Sequence, residues 1–324
     1  MPHLPEETSR RFFEAGPVMS AHIVSPVQFC SGDLLADRRA EFAEGLVNAG
    51  DPGGAAELYR QALEIVPGWG AGWYRLGEIC AHGALAGARE AFAEALRLDP
   101  DDTLGAGLQI ALLDGRAGTA RMPSAFVETL FDQYAGHFDH ALVDTLGYRG
   151  PQLLEAQLGG GTWGRALDLG CGTGLMGEVL RARSGWLEGW DISAEMLREA
   201  GAKRLYDRLE KCDLSRLDPP RERWDLIAAA DVFSYLGELS EILSWCHAAL
   251  DAGGVLAFTA EATTPEEARL GGCVLRESRR YAHAEAALIA ELSAAGFSAE
   301  IGHGVLRMDR GVPIAALAVV ARRL

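Results

Sequence analysis

Residues 166–174 read Ala166-Leu167-Asp168-Leu169-Gly170-Cys171-Gly172-Thr173-Gly174. An apolar strand carrying an acid runs into a loop with glycine at every second position, and residues 175–182 then have the pattern of a helix. Glycine lacks a Cβ, so such a loop takes positive φ and lets a ligand touch main-chain atoms. Strand, loop and helix in this order belong to a doubly wound α/β sheet, whose ligands sit beyond the carboxyl ends of the strands.

Alternating strand and helix patterns continue on from Arg121. Seven strands are expected, over 165–169, 187–190, 209–212, 224–229, 255–259, 299–306 and 314–320, the last two forming a hairpin. Three further acids fall just after strands: Asp191 after the second, Asp213 after the third and Asp231 after the fourth. An acid at Asp191 suits the two hydroxyls of a ribose, or it caps the next helix, a task Ser193 also fits. Asp213, in Cys212-Asp213-Leu214, is a ligand contact or an ordinary turn residue. Asp231 follows a fully apolar strand and is expected in the cleft with Ser234 and Tyr235 close behind.

Before this sheet, Ala55, Tyr59, Ala62 and Pro67 recur as Ala88, Phe92, Ala95 and Pro100, an offset of 33 residues. Small residues let two helices approach, the aromatic fills the gap, and proline stops the second helix. Trp73, Leu76 and Gly77 open the second unit. Arg39 and Phe42 stand in the Trp and Leu places of the first, Asp51-Pro52-Gly53 makes its turn, and 101–113 reads as one further helix. The pattern resembles two tetratricopeptide repeat (TPR) units plus a cap, too few to stand alone, so the array is expected to pack on the sheet domain. The expected division is an irregular arm over 1–32, helical repeats over 33–118 and the α/β domain over 119–324.

The chain carries 30 Lys and Arg against 46 Asp and Glu, a net charge of -16 spread over both halves. Nucleic-acid phosphates are bound by clustered cations, and no such cluster is visible, so nucleic acid is a disfavoured partner. The six cysteines lie far apart with no Cys-x-x-Cys pair, which argues against a zinc site or disulfide framework and for reduced thiols in a cytoplasm. No stretch reads as a signal peptide or membrane span. No metal is expected.

The spacing of Asp168, Gly170, Gly172 and Gly174 resembles the first motif of class I S-adenosylmethionine (SAM) dependent methyltransferases. With the helical repeats, Phe131-Asp132-Gln133-Tyr134-Ala135, Leu146-Gly147-Tyr148-Arg149 and Arg280-Tyr281-Ala282-His283, the chain resembles bacterial TPR-containing methyltransferases related to the ubiquinone/menaquinone-biosynthesis type. The resemblance implies a Rossmann-like seven-stranded sheet and SAM as cofactor. It implies cofactor contacts at Tyr134, Asp168, Gly170, Cys171, Gly172, Gly174, Asp191, Ile192, Met196, Asp213, Leu214 and Asp231. It also implies that the helix holding Phe131, Tyr134 and Phe138 closes over SAM; those aromatics are otherwise core.

Gly172-Thr173-Gly174-Leu175-Met176-Gly177 also satisfies the G-x-G-x-x-G of dinucleotide binding, with Asp191 near the distance of a ribose acid. Asp168 ahead of the loop, the Asp213 and Asp231 segments and the antiparallel end of the sheet favour SAM over NAD or FAD. Asp218-Pro219-Pro220 mimics the loop of amino-methylating DNA enzymes, but it precedes the fourth strand and Arg221 replaces the aromatic.

Methyl transfer from a sulfonium is an in-line displacement, so alignment matters more than a catalytic motif. Where the acceptor has a proton to lose, His283, Asp231, His140, Tyr235 and Tyr281 are the candidate bases, His283 first, unless it is an exposed residue at a helix start. The leading expectation is transfer to an O, N or C atom of a small-molecule acceptor. A protein methyltransferase holding its substrate on the TPR face, and a SAM-binding scaffold without turnover, are the alternatives. Acceptor contacts are expected over 266–283.

Overall fold

The computed structural model describes residues 30–115 and 122–324. Most of the expected arm over 1–32, Arg121 and the expected boundary near 118 lie outside the described residues.

Among the described residues five helices come first: α1 (Leu34–Asn48), α2 (Pro52–Ile65), α3 (Gly70–His82), α4 (Ala88–Leu98) and α5 (Ala106–Leu113). Asp33 caps α1 by accepting from Leu35 and Ala36 N–H, and Asp51 caps α2 with Pro52 in its first turn. Thus Asp51-Pro52-Gly53 starts α2 directly. Helices α1 and α2 pack together, as do α3 and α4, over the buried Ala55, Tyr59 and Ala62 and the buried Ala88, Phe92 and Ala95. A Cβ at Gly77 would lie 2.7 Å from the Phe92 ring, so α3 and α4 meet at this distance only through glycine.

Two expectations are corrected in this region. Phe42 is 72% exposed, while Ala36, Ala40 and Ala43 form the buried face of α1, so Ala40 and Ala43, 33 residues before Trp73 and Leu76, take the places expected for Arg39 and Phe42. The helix expected from 101 begins at Ala106, because Asp102 and Gly105 take left-handed φ and the Asp102 carboxylate accepts from Ala106 and Gly107 N–H.

Helices α6 (Ser124–Tyr134) and α7 (Gly150–Leu158) lead to β1 (Trp163–Leu169), α8 (Leu175–Arg181), β2 (Ser184–Asp191), α9 (Ala194–Lys203), β3 (Arg208–Lys211) and β4 (Trp224–Ala229). Then follow α10 (Ser240–Ala249), β5 (Leu250–Ala262), β6 (Cys273–Leu275), β7 (Tyr281–His283), α11 (Glu285–Ala294), β8 (Phe297–Asp309) and β9 (Val312–Arg323). The main sheet runs β3-β2-β1-β4-β5-β9-β8, parallel through β5, with β9 antiparallel to β5 and to β8. All seven expected strands are present. Alternate residues feed opposite faces: Leu167, Leu169, Ile227 and Ala229 pack toward α10 and α11, whereas Ala166, Leu226 and Ala228 pack toward α7 and α8.

The β6–β7 hairpin was not expected. Glu261 pairs with Ala316 on β9 and with Ala282 on β7, so β7 occupies the other edge of β5, past Ala229, the last residue of β4. The hairpin therefore overhangs the carboxyl end of β4. It packs against α5 and α6, where Leu108, Met122, Phe126 and Leu130 meet Leu275, Tyr281 and Tyr235. Among the described residues no helix is long and apolar enough to cross a membrane.

Candidate active site

A cleft opens at the carboxyl ends of β1 to β4 under α6, enclosing about 1020 Å³ with its open mouth included. The glycine loop forms its floor. Gly170 takes a φ of +61°, and a Cβ there would strike Val232 at 2.5 Å; a Cβ at Gly172 would meet nothing within 4 Å. The loop thus presents bare backbone, held against Val232 behind.

Asp191, at the end of β2, lines the cleft with only 6% of its surface exposed. One oxygen accepts from Gly172 N–H and the other from Ser193 N–H, both at 2.8 Å, and each keeps a lone pair for a further donor. Burial pushes its pKa up to about 6 against these hydrogen bonds. Ser193 caps α9 by accepting from Met196 N–H, so Asp191 is not the cap. Asp213 also lines the cleft, and one of its oxygens accepts from both the N–H and the hydroxyl of Ser215. Partial burial opposes its charge, yet hydrogen bonds from Ser124 and Ser215 hold its pKa below the usual carboxylate value. Ile192, Leu214, Val127 and Phe131 supply apolar walls between these acids.

The other end of the cleft is polar and densely paired. Asp231 follows β4 with a φ of +63°, a strained value for a side-chain-bearing residue, and its N–H donates to Thr259 Oγ1 at 2.8 Å. Its carboxylate meets Arg280, which also donates to Tyr235 Oη, to Ser234 Oγ at 2.6 Å and to Glu261 Oε1 at 2.6 Å. Arg307 and Arg276 reach the same Glu261 at 2.7 and 2.9 Å. Burial disfavours the Glu261 charge, but Arg280 and Arg307 hold its pKa down at about 2. Removing one member of this network would leave a buried charge unpaired.

Helix α6 divides its residues between two tasks. Ser124, Val127 and Phe131 face the cleft, and Phe138 joins them, with the Phe131 ring edge-on to Phe138 and Tyr235. Phe126, Leu130 and Tyr134 do not line it and pack with Leu108 and Leu275, a cluster that Val127 and Phe131 also touch. Tyr134, expected at the cofactor, therefore stands away from the cleft. Asp132 accepts from Ser193 Oγ and Asp139 from Thr173 Oγ1, which pins this segment across the glycine loop.

Of the expected contacts, Gly170, Cys171, Gly172, Asp191, Ile192, Asp213, Leu214, Asp231 and Tyr235 line the cleft together. Asp168, Gly174 and Met196 do not: Asp168 is buried behind the loop, Gly174 faces Tyr206, and Met196 is sealed beneath α9. Both histidines are also displaced. His283 ends β7 in the interior, its Nε2 3.3 Å from the Phe233 carbonyl and its pKa lowered by burial; His140 is exposed at the start of a π-helical turn. Tyr281 is buried beneath the hairpin. Among the described residues no histidine lines the cleft, and no group of three or more His, Cys, Asp or Glu is arranged to hold a metal. Arg280, Glu261, Arg307 and Tyr148 were not singled out as site residues; an acid two residues beyond Thr259, past the apolar run 255–258, was the available signal.

Strand order, glycine loop and following acids define a class I SAM-dependent methyltransferase domain, whose cofactor is SAM. The open backbone at Gly172 and the lone pairs left on Asp191 suit that group. Residues 167–256 match the family described as a methyltransferase domain.

The chain is similar to malonyl-[acyl-carrier protein] O-methyltransferase of Enterobacter lignolyticus, 28% identical over 133 residues, covering 41% of this chain and 52% of the relative. It is similar to human methyltransferase-like protein 27, 36% identical over 113 residues, covering 32% of this chain and 45% of the relative. The chain spans about half the length of the curated relatives it matches. A solved magnesium protoporphyrin IX methyltransferase from Synechocystis PCC 6803 with bound SAM aligns at 21% identity and a TM-score of 0.44, over 64% of this chain and 99% of that one.

Proposed function

We propose that this protein methylates a small-molecule acceptor from SAM. The observation that carries the reading is one continuous cleft, with the glycine loop, Asp191 and Asp213 at one end and the Arg280–Asp231–Tyr235 group at the other. Asp191 accepts from the ribose hydroxyls, the backbone of 170–172 lies along the ligand, and Ile192, Leu214 and Phe131 flank the adenine. When bound, SAM supplies an electrophilic methyl group.

The residues at the far end orient and exclude water. Asp231 is already engaged by Arg280, and burial raises the Tyr235 phenol above its ordinary pKa, so the phenol keeps its proton. An acceptor oxygen that arrives already charged, such as a carboxylate, needs no base and finds the Arg280 guanidinium in the cleft wall. The O-methyltransferase activity named for the Enterobacter relative agrees with such an acceptor. The helix pairs α1–α2 and α3–α4 and their 33-residue offset support TPR units over 33–118, with the methyltransferase domain over 119–324. A cytoplasmic setting rests on the cysteine spacing alone.

Calorimetry with SAM and S-adenosylhomocysteine tests the cofactor: the wild type is expected to bind both, and Asp191→Ala to weaken binding at least about tenfold by removing a charged acceptor. Equal binding by the variant refutes the assignment. Labelled SAM offered with a panel of carboxylic acids, and scored for base-labile methyl esters, tests the acceptor class.

A further inference from the structure

Two phenols in the cleft wall have hydroxyl protons with nowhere to go. Tyr148 and Tyr235 both line the cleft, and each is only 6% exposed. Tyr235 Oη accepts from Arg280 Nη1, and a guanidinium has no lone pair to take a proton in return. Its own O–H donates to none of the described residues, and Tyr148 Oη makes no hydrogen bond to any of them. Tyr206, a third phenol beside the glycine loop, shows the usual arrangement: its hydroxyl donates to Asp168 Oδ2 at 2.6 Å. Buried polar groups are normally hydrogen-bonded, so two idle donors in one wall point to a ligand.

Both rings are held in place. Gly147 takes a φ of +60°, Tyr148 N–H donates to the Leu142 carbonyl at 3.1 Å, and Arg149 N–H donates to the Leu306 carbonyl at 2.8 Å. A Cβ at Gly150 would lie 2.2 Å from the Tyr148 hydroxyl, so the phenol fits there only over glycine. Tyr235 is held by Arg280 and by the Phe131 ring, edge-on to it. The same three charges, Asp231, Arg280 and Arg307, act on both phenols, and burial keeps both protonated. Asp231 is ion-paired with Arg280 through one oxygen and with Arg307 through the other, at 3.6 Å, so what this wall offers a ligand is chiefly donors. Beside them Phe138, Leu142 and Leu236 give an apolar surface.

We propose that Tyr148 and Tyr235 form a two-donor clamp for the methyl acceptor, a carboxylic acid whose head accepts from both hydroxyls while an apolar body lies on Phe138, Leu142 and Leu236. The proposal rests on the methyltransferase reading above and narrows its acceptor. The clamp holds one carboxylate oxygen and leaves the other to attack. A C–O bond forms to the methyl carbon, the C–S bond breaks with its electron pair passing to sulfur, and no proton moves; a methyl ester and S-adenosylhomocysteine result.

The probe is hexanoate, titrated by calorimetry into protein saturated with S-adenosylhomocysteine, for wild type, Tyr148→Phe, Tyr235→Phe and the double variant. The affinity of each protein for S-adenosylhomocysteine is measured alongside, with circular dichroism to verify folding. Each single variant is expected to fold, to keep its affinity for S-adenosylhomocysteine, and to lose about tenfold for hexanoate. Hexanoate that does not bind the wild type, or that binds both variants equally well, overturns the clamp and leaves the cofactor reading intact. A matching loss of S-adenosylhomocysteine affinity also overturns it, by moving the phenols to the cofactor. Failure of the wild type to bind S-adenosylhomocysteine overturns both readings.

Discussion

Asp168, behind the glycine loop, and Asp191, beside it, are buried carboxyl groups that cost the fold stability. Burial raises Asp168 to about 7 and Asp191 to about 6, both far above the ordinary carboxylate value of 3.8. The folded protein therefore retains protons that the unfolded chain releases above about pH 4, and stability declines as pH climbs from there to about 7. Asp168→Asn removes the larger share and keeps an acceptor for Tyr206. It is expected to raise the thermal midpoint of the ligand-free protein at pH 8, by an amount on the order of 2 to 4 kcal/mol in stability, with the gain vanishing near pH 4. Calorimetric melting across that range decides it; a gain independent of pH excludes the carboxyl charge as its source.

The acids at the ends of β2 to β4 were legible because a polar residue closing a strand is conspicuous. Arg280 stood in the Arg280-Tyr281-Ala282-His283 motif without a role, since nothing in a stretch with arginines at 276, 279 and 280 shows that the fold buries two of them. His283 misled for the opposite reason: its chemistry suits a base, but only pairing of β7 with β5 shows that it turns inward.

At the scale of elements, the long strands and paired helices followed from periodicity. The β6–β7 hairpin escaped because two three-residue strands carry too few positions for any alternation to show. In the helical array a single missing side chain sets how closely two helices approach. Gly77→Ala places a methyl group 2.7 Å from Phe92, and is expected to destabilise the protein by about 1 to 3 kcal/mol through overpacking. Phe92→Leu on the same background should recover part of that loss in urea unfolding. If the pair is simply additive, the two residues are not in conflict and the packing account fails.

Across the whole molecule, the tip of the β6–β7 hairpin holds two arginines in succession that serve different neighbours. Arg279, with a φ of +58°, donates to Tyr74 Oη on α3 at 3.0 Å and lies over the Phe126 ring; Arg280 lines the cleft. Tyr74→Phe leaves the buried guanidinium without that acceptor and is expected to cost about 1 to 3 kcal/mol in urea unfolding. Adding Arg279→Met should abolish the difference between tyrosine and phenylalanine.

One peptide unit joins these two side chains, so α3 and the polar wall of the cleft are held by neighbouring residues of the same turn. The helical array and the cleft thus share one turn of chain, a stitch at which the two parts of the molecule are sewn to the same backbone.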